Sequence, residues 1–171
     1  VYIGFDARDL DTHGLRDALK GDPVISLKGG HDHSGGEVAP LDLSALRTWL
    51  DAQTGISAFA VASQFATRNP THEQAAASLI EDVTGCPVSA SHHLSAKLNG
   101  PKRALTALLN ARLIGLTHRL IGRAEDILTE IGVTAPLMVV RGDGALILST
   151  MAKDRPIETI LSGPAASIVG A

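Results

Sequence analysis

The sequence predicts an α/β fold with a parallel or mixed sheet, flanking helices and one long helix. Three observations carry this. Ala58-Phe59-Ala60-Val61-Ala62 is apolar at every position, as a strand covered on both faces would be. A strand, a helix and a second strand follow one another within about 35 residues, the length of a βαβ unit, whose crossover makes neighbouring strands parallel. A helical stretch then runs from Gly100-Pro101 to Gly132, with proline suited to the first turn and glycine to the position just past the end.

The elements read in order as follows. Pro23-Val24-Ile25-Ser26-Leu27 is a short strand candidate. Residues 28–40 hold four glycines, two histidines and a proline, and read as a loop between an N-terminal strand-containing segment (1–27) and an α/β body (41–171). Leu41 to Ala52 has Leu41, Leu43, Leu46, Trp49 and Leu50 near helical spacing. After the apolar strand, Thr71 and Gln74 are spaced as a capping box for a helix reaching about Thr84. Gly85-Cys86-Pro87 breaks that helix, and Val88 to Ser91 is the second strand. In the long helix, Leu105, Leu108, Leu109, Leu113, Leu116, Leu120, Ile127, Leu128 and Ile131 form one apolar stripe. At 1.5 Å per residue it is roughly 45 Å long, more than one small core needs, so it is expected to pass from one lobe to another. Pro136 to Val140 is a strand and Ala145 to Leu148 a possible return strand. Gly163-Pro164 opens a last short helix.

Composition narrows the function. The 171 residues are 44% hydrophobic but include only five aromatics, so the core must be aliphatic. Fifteen basic against 18 acidic residues leave a net charge of −3, unlike the basic excess of a nucleic-acid domain. The single cysteine, Cys86, excludes a disulfide framework and a thiolate zinc site. No apolar run approaches the ~18 residues of a membrane span. Neither a nucleic acid nor a membrane is an expected partner, and a cytoplasmic setting is the expectation. There is no Gly-x-Ser-x-Gly elbow, Walker loop or His-Glu-x-x-His motif.

Four places carry possible chemistry. Arg141-Gly142-Asp143-Gly144 follows an apolar strand, where glycines let backbone N–H groups approach an anion; the same residues also read as a tight hairpin turn. Ser162 and Gly163 stand at a helix start, where Ser162 either caps the helix or touches a phosphate. His31, Asp32 and His33 would present two imidazoles on one side if the segment is extended, with His31 and Asp32 a tentative metal- or substrate-facing pair; solvated loop histidines are the plain alternative. His92-His93 has no spaced carboxylate nearby and is a weaker metal candidate. Arg103, Thr106 and Asn110 lie within about 60° of one another on the long helix, bordering a cleft or forming a solvated edge.

These residues also carry a resemblance. Gly29-Gly30-His31-Asp32 with Pro40-Leu41-Asp42, then Asn69-Pro70-Thr71-His72-Glu73, resemble the hydantoinase/oxoprolinase family, hydantoinase A type. Arg103 with Thr106, Leu109, Asn110 and Ala111 is similar to a further segment of it, and Arg155 to Ala166 to its most specific signature. Arg141 to Gly144 resembles the family's Arg/Gln-Ser-Asp/Asn-Gly-Gly turn, departing from it at Gly142 and Ala145.

The resemblance implies an actin-like, ribonuclease-H-like ATPase fold. It implies an ATP- and Mg2+-dependent hydrolase that opens a small cyclic amide by phosphoryl activation, or a ketone carboxylase subunit, with a hydantoinase B-type subunit as partner. It places Arg141, Asp143, Gly144, Ser162 and Gly163, then Arg103 and Asn110, at a nucleotide or substrate cleft; catalytic residues stay unassigned. The family's two Asp-x-Gly-Gly-Thr-x-Thr-Asp loops are absent. The chain is therefore expected to be an internal fragment, inactive alone and binding no cofactor tightly. A non-catalytic docking module and a self-sufficient metal hydrolase are the rival expectations.

Overall fold

A computed structural model describes residues 1–160 and 162–169. The chain divides into two compact units, Val1–Ala111 and Arg112–Ala171. The boundary expected at residues 28–40 falls inside the first unit instead. The reason is backbone pairing: strands from residues 1–27 and from the body share one sheet.

In the first unit, strands β1 (Tyr2–Ile3), β2 (Ser26–Leu27), β3 (Phe59–Ser63) and β4 (Val88–Ala90) form a sheet in the order β2-β1-β3-β4. Every pairing is parallel. Helix α1 (Leu15–Leu19) lies between β1 and β2, α2 (Leu43–Asp51) between β2 and β3, and α3 (Thr71–Thr84) between β3 and β4. The expected βαβ unit is β3-α3-β4. The chain leaves β1 toward β2 on one side, while β3 and β4 extend the sheet on the other. A parallel sheet of this kind has its crevice at the carboxyl ends of the strands where the order reverses, here β1 and β3.

Strand alternation sorts the core onto two faces. Ile3, Phe59 and Val61 pack with Leu46 and Leu50 of α2 and Ala76 and Ile80 of α3. Tyr2 and Ala62 face the other way, against Leu10, Leu15 and Ala104. Asp42 caps α2 by accepting the Ala45 N–H at 2.9 Å. The capping box expected from Thr71 and Gln74 does not form. Pro70 is the cap residue, and the Thr71 N–H is met by the Asn69 side chain at 3.1 Å.

Helix α4 (Ser91–Leu94) follows β4 directly, and α5 (Gly100–Glu130) is the long helix, starting in the first unit and ending in the second. Its buried face differs from the leucine stripe. Arg103, Ala104, Ala107, Asn110, Ala111, Ile114 and Ile121 are buried, whereas Leu109, Leu116, Leu120, Ile127 and Ile131 are exposed. Close helix packing favours small residues, and hydrophobicity alone does not say which face has a neighbour.

The second unit holds β5 (Met138–Val140) antiparallel to β6 (Leu146–Leu148), then α6 (Ser149–Asp154) and α7 (Ser162–Val169). Ile121, Ile147 and Ala152 form its core with Leu137 and Val139. Glu125 of α5 accepts from Ser149 Oγ at 2.7 Å and Lys153 Nζ at 2.6 Å.

Gly4, just past β1, has φ +73°, and a Cβ there would stand 2.6 Å from the Gly29 carbonyl oxygen. Both the backbone and the space demand glycine. Gly4→Ala is expected to lower unfolding free energy by about 2 kcal/mol or more, read from the urea midpoint at unchanged slope.

Candidate functional site at the carboxyl end of the sheet

The carboxyl ends of the parallel strands gather the polar side chains of the first unit. Gly29-Gly30-His31 follow β2, Gln64 follows β3, and Ser91-His92 follow β4. A helix returning antiparallel to its strand starts at that same end, so His72 and Glu73 in the first turn of α3 join them.

Glu73 is fully buried. Its Oε1 accepts from the Ser63 N–H at 2.7 Å and from Ser91 Oγ at 2.6 Å. Its Oε2 accepts from the His92 N–H at 3.0 Å and from His92 Nδ1 at 2.6 Å. Four donors offset the cost of removing a carboxylate from water. Glu73 also determines where the His92 proton sits: Nδ1 donates, so in the neutral ring Nε2 carries the lone pair. His92 Nε2 is buried and has no hydrogen-bond partner.

Arg103 supplies the opposing charge and is 1% exposed. Nη2 donates to the Ser63 carbonyl at 2.8 Å, and Nη1 to the Lys97 and Leu98 carbonyls at 2.9 and 3.0 Å. Nε donates to Ser91 Oγ at 3.3 Å. Ser63 and Ser91 therefore each touch both Glu73 and Arg103. Burial pushes the guanidinium below its ordinary value, while Glu73 and then Tyr2 hold it up. A cation in the first turn of a helix opposes the macrodipole, and here the guanidinium reaches carbonyl oxygens that offset this. Asn110, one face-repeat along α5, donates to Ser89 Oγ at 3.0 Å. Arg103 and Asn110 are thus interior residues of the first unit rather than cleft-lining ones.

The 28–40 loop is clasped to α3. The Gly30 N–H donates to His72 Nδ1 at 2.9 Å, which places the His72 proton on Nε2, 3.0 Å from Glu37. His31 is 1% exposed, lies 4.3 Å from the His72 ring, and meets Thr71 Oγ1 at 3.2 Å. Burial first, then His72, pushes His31 below its ordinary value, with Glu37 and Asp32 opposing.

The metal expectation for this loop rested on an extended segment, and the segment turns instead. Asp32 accepts the Ser34 and Gly36 N–H groups at 2.8 and 2.9 Å, which hold its carboxyl below the usual range. His33 is exposed. Among the described residues no three His, Cys, Asp or Glu side chains gather as metal ligands.

In the second unit the hairpin reading of 141–144 is realised. Arg141 N–H donates to the Ala145 carbonyl at 2.7 Å, Gly144 N–H to the Arg141 carbonyl at 2.9 Å, and Gly142 N–H to the Glu158 carbonyl at 2.8 Å. Ala145 N–H goes to Asp143 at 3.1 Å. Those amides are spent, so the backbone cradle expected for a phosphate does not fit here. The Arg141 side chain pairs with Asp143 in solvent and stands 3.9 Å from Glu158. Arg141 first, then the Ala145 N–H, holds the Asp143 carboxyl down to about 2. An open depression of about 380 Å3 is lined by Arg141, Gly142, Asp143, Glu158 and Ile160. A solvent-exposed pair of this kind contributes little to stability and opens easily. Ser162 lies within α7, with Gly163 next to it. Leu161, which the Ser162-Gly163 motif begins with, lies outside the described residues.

Sequence reasoning missed Glu73 and His92 as a pair because 19 residues separate them. A signal was present: a βαβ unit puts the first turn of its helix and the end of its second strand at the same edge.

Fold and site define a doubly wound α/β unit joined by a long helix to a smaller α/β unit. Comparison with known proteins gives this class its family. The Hydantoinase/oxoprolinase N-terminal region model matches residues 4–84, and the Hydantoinase/oxoprolinase model residues 103–171. The chain belongs to the hydantoinase/oxoprolinase family. It is 28% identical over 139 residues to the caprolactamase subunit alpha of Pseudomonas jessenii, covering 78% of this chain and 20% of that protein. It is 28% identical over 162 residues to the acetophenone carboxylase gamma subunit of Aromatoleum aromaticum, covering 89% of this chain and 22% of that one. The chain thus spans about a fifth of the length of these curated relatives.

Two solved structures share the fold. The crystal structure of ATP-dependent caprolactamase from Pseudomonas jessenii superposes with a TM-score of 0.80 at 23% identity, over 96% of this chain and 27% of that one. The nucleotide-free acetone carboxylase structure gives 0.70 at 19% identity, over 98% and 25%. The expected fold class, α/β with a parallel sheet, flanking helices and one long helix, stands.

Two outcomes follow from this site. Arg103→Met strands the buried Glu73 charge and is expected to cost about 3–5 kcal/mol by urea denaturation, with Glu73→Gln added to it restoring part of the loss. His31 titrates lower in the folded chain than in the unfolded one. Stability is then full above the unfolded value of about 6.5 and falls as pH drops through the folded value. Denaturation midpoints between pH 7 and 5 should show this slope, and His31→Asn should reduce it.

Proposed function

We propose that the whole protein couples ATP, as its Mg2+ complex, to the hydrolytic opening of a small cyclic amide. The observation that carries this is the similarity to a caprolactamase alpha subunit over 78% of the chain. The solved caprolactamase with the same fold is described as ATP-dependent, which supports the nucleotide. Both curated relatives are subunits, which supports a partner; we assign it to the hydantoinase B type. The protein acts in the cytoplasm on this reading, and this chain alone does not turn over.

Within the chain, the division of labour follows the geometry. Arg141 is the side chain proposed to meet the nucleotide, by exchanging its surface partner Asp143. Asp143, Ser162 and Gly163 belong to that proposed contact by the family resemblance, while Gly144, whose N–H is spent on the Arg141 carbonyl, shapes the turn that carries Arg141. Arg103 and Asn110 act from the interior, holding the carboxyl end of the sheet in place.

A second reading is favoured by a specific observation: the acetophenone carboxylase gamma subunit matches 89% of the chain, more than the caprolactamase subunit does. On that reading the same fold activates a ketone for carboxylation. The whole protein with its partner, supplied with Mg-ATP, separates the two. Caprolactam, 5-oxoproline and hydantoin are offered singly, and acetone or acetophenone with bicarbonate. Ring opening is expected, with ADP released in step with one ring-opened product and no need for bicarbonate. ADP release only with ketone and bicarbonate moves the assignment to the carboxylase, and no ATP consumption with any of them removes both.

A further inference from the structure

We propose that Nε2 of His92 is the proton-transfer atom at the carboxyl end of the sheet, with Glu73 as the residue that positions it. The substrate class rests on the ring-opening reading above, whereas the Glu73–His92 pair stands on its own geometry.

Glu73 is held by four donors, so its carboxylate has one orientation. His92 is tied to it twice, through its own backbone N–H and through Nδ1. The ring is therefore fixed in place and in tautomer, the relation of an orienting carboxylate to a general base. Within this network the unmet capacity is the Nε2 lone pair. The ring keeps 11% of its side chain exposed, while Nε2 itself is buried. It lies two residues past β4, at the end of the sheet where ligands of open α/β folds collect.

The charged and titratable groups around His92 are accounted for. Glu73 of α3 binds it, His93 of α4 stacks at 4.0 Å, and Arg103 of α5 reaches it through Ser91. None of these hydrogen-bonds to Nε2. A lone pair so placed takes a proton from a group that donates one: a water molecule attacking a carbonyl carbon.

The water oxygen bonds to the carbonyl carbon, and the carbonyl π pair moves to its oxygen. One water O–H bond breaks, and that proton goes to Nε2. The oxygen's pair then re-forms the C=O bond, the carbon–nitrogen bond breaks with its pair going to the ring nitrogen, and Nε2 returns the proton to that nitrogen. The products are a carboxyl group and an amine, and His92 is unchanged.

Two measurements test the proposal. In the 15N-histidine-labelled chain, long-range proton–nitrogen NMR should find the His92 proton on Nδ1 and Nε2 bare. A proton on Nε2 overturns it. In the whole protein, His92→Gln should slow ring opening at least about 100-fold with ATP affinity unchanged within about twofold. The variant's thermal melt is checked to confirm that it is folded. Wild-type turnover in a folded variant also overturns the proposal. For Glu73, Glu73→Asp should rescue turnover and the Nδ1 proton signal together, where Glu73→Gln loses both; loss of turnover with an unchanged His92 signal overturns the positioning role. If wild-type protein opens no cyclic amide, the ring-opening reading fails and takes this substrate class with it. The NMR result decides the Glu73–His92 pair independently.

Discussion

The buried carboxylate of Glu73 is the constraint on which the first unit depends. A charge taken fully out of water survives only if donors and a counter-charge are arranged around it. Here the donors come from the end of β3 and the first two residues of α4, and the counter-charge from the first turn of α5. One carboxylate of α3 therefore ties together β3, α4 and, through the two serines, α5. The sheet's apolar faces supply the cohesion, but they are non-directional; the Glu73 network is what specifies where the strand ends stand.

The same arrangement links stability to chemistry. The serines that bridge Glu73 and Arg103 leave neither ion without partners, and within this Glu73–Arg103–His92 network the unmet atom is His92 Nε2. The neighbouring clasp, where Gly30 binds His72 and Thr71 binds His31, brings the glycine-rich loop onto the same edge. Positive φ at Gly4, Gly29 and Gly30 allows β1 and the loop to approach this closely. Loop, strand ends and helix starts thus meet at one edge of the first unit, where a buried polar network adjoins the aliphatic core.

The second unit follows a different logic. Its hairpin turn is internally satisfied, and its charges lie at the surface. Arg141 is exchangeable for that reason, whereas Arg103 is not. Two arginines singled out by the same family resemblance therefore have different physical roles. The family models span both units, so the interior network and the surface pair lie in one and the same family.

Much of this was legible in the amino-acid order. The uniformly apolar strand at 58–62, the βαβ spacing, the helix bounded by Gly100-Pro101 and Gly132 and the Arg-Gly-Asp-Gly turn each express local rules of burial, period and backbone freedom. They determine which segments become strands, helices and turns, and they carried the family. Tertiary structure decided the rest. It turned the small-residue and Arg103 face of α5 inward and left the leucines at 109, 116 and 120 outside. It replaced the Thr71 cap with Pro70 and joined residues 1–27 to the main sheet. It also brought Glu73 to His92 across 19 residues. Each of these depends on which neighbour is available at a given surface, and local periodicity carries no record of neighbours distant in the chain.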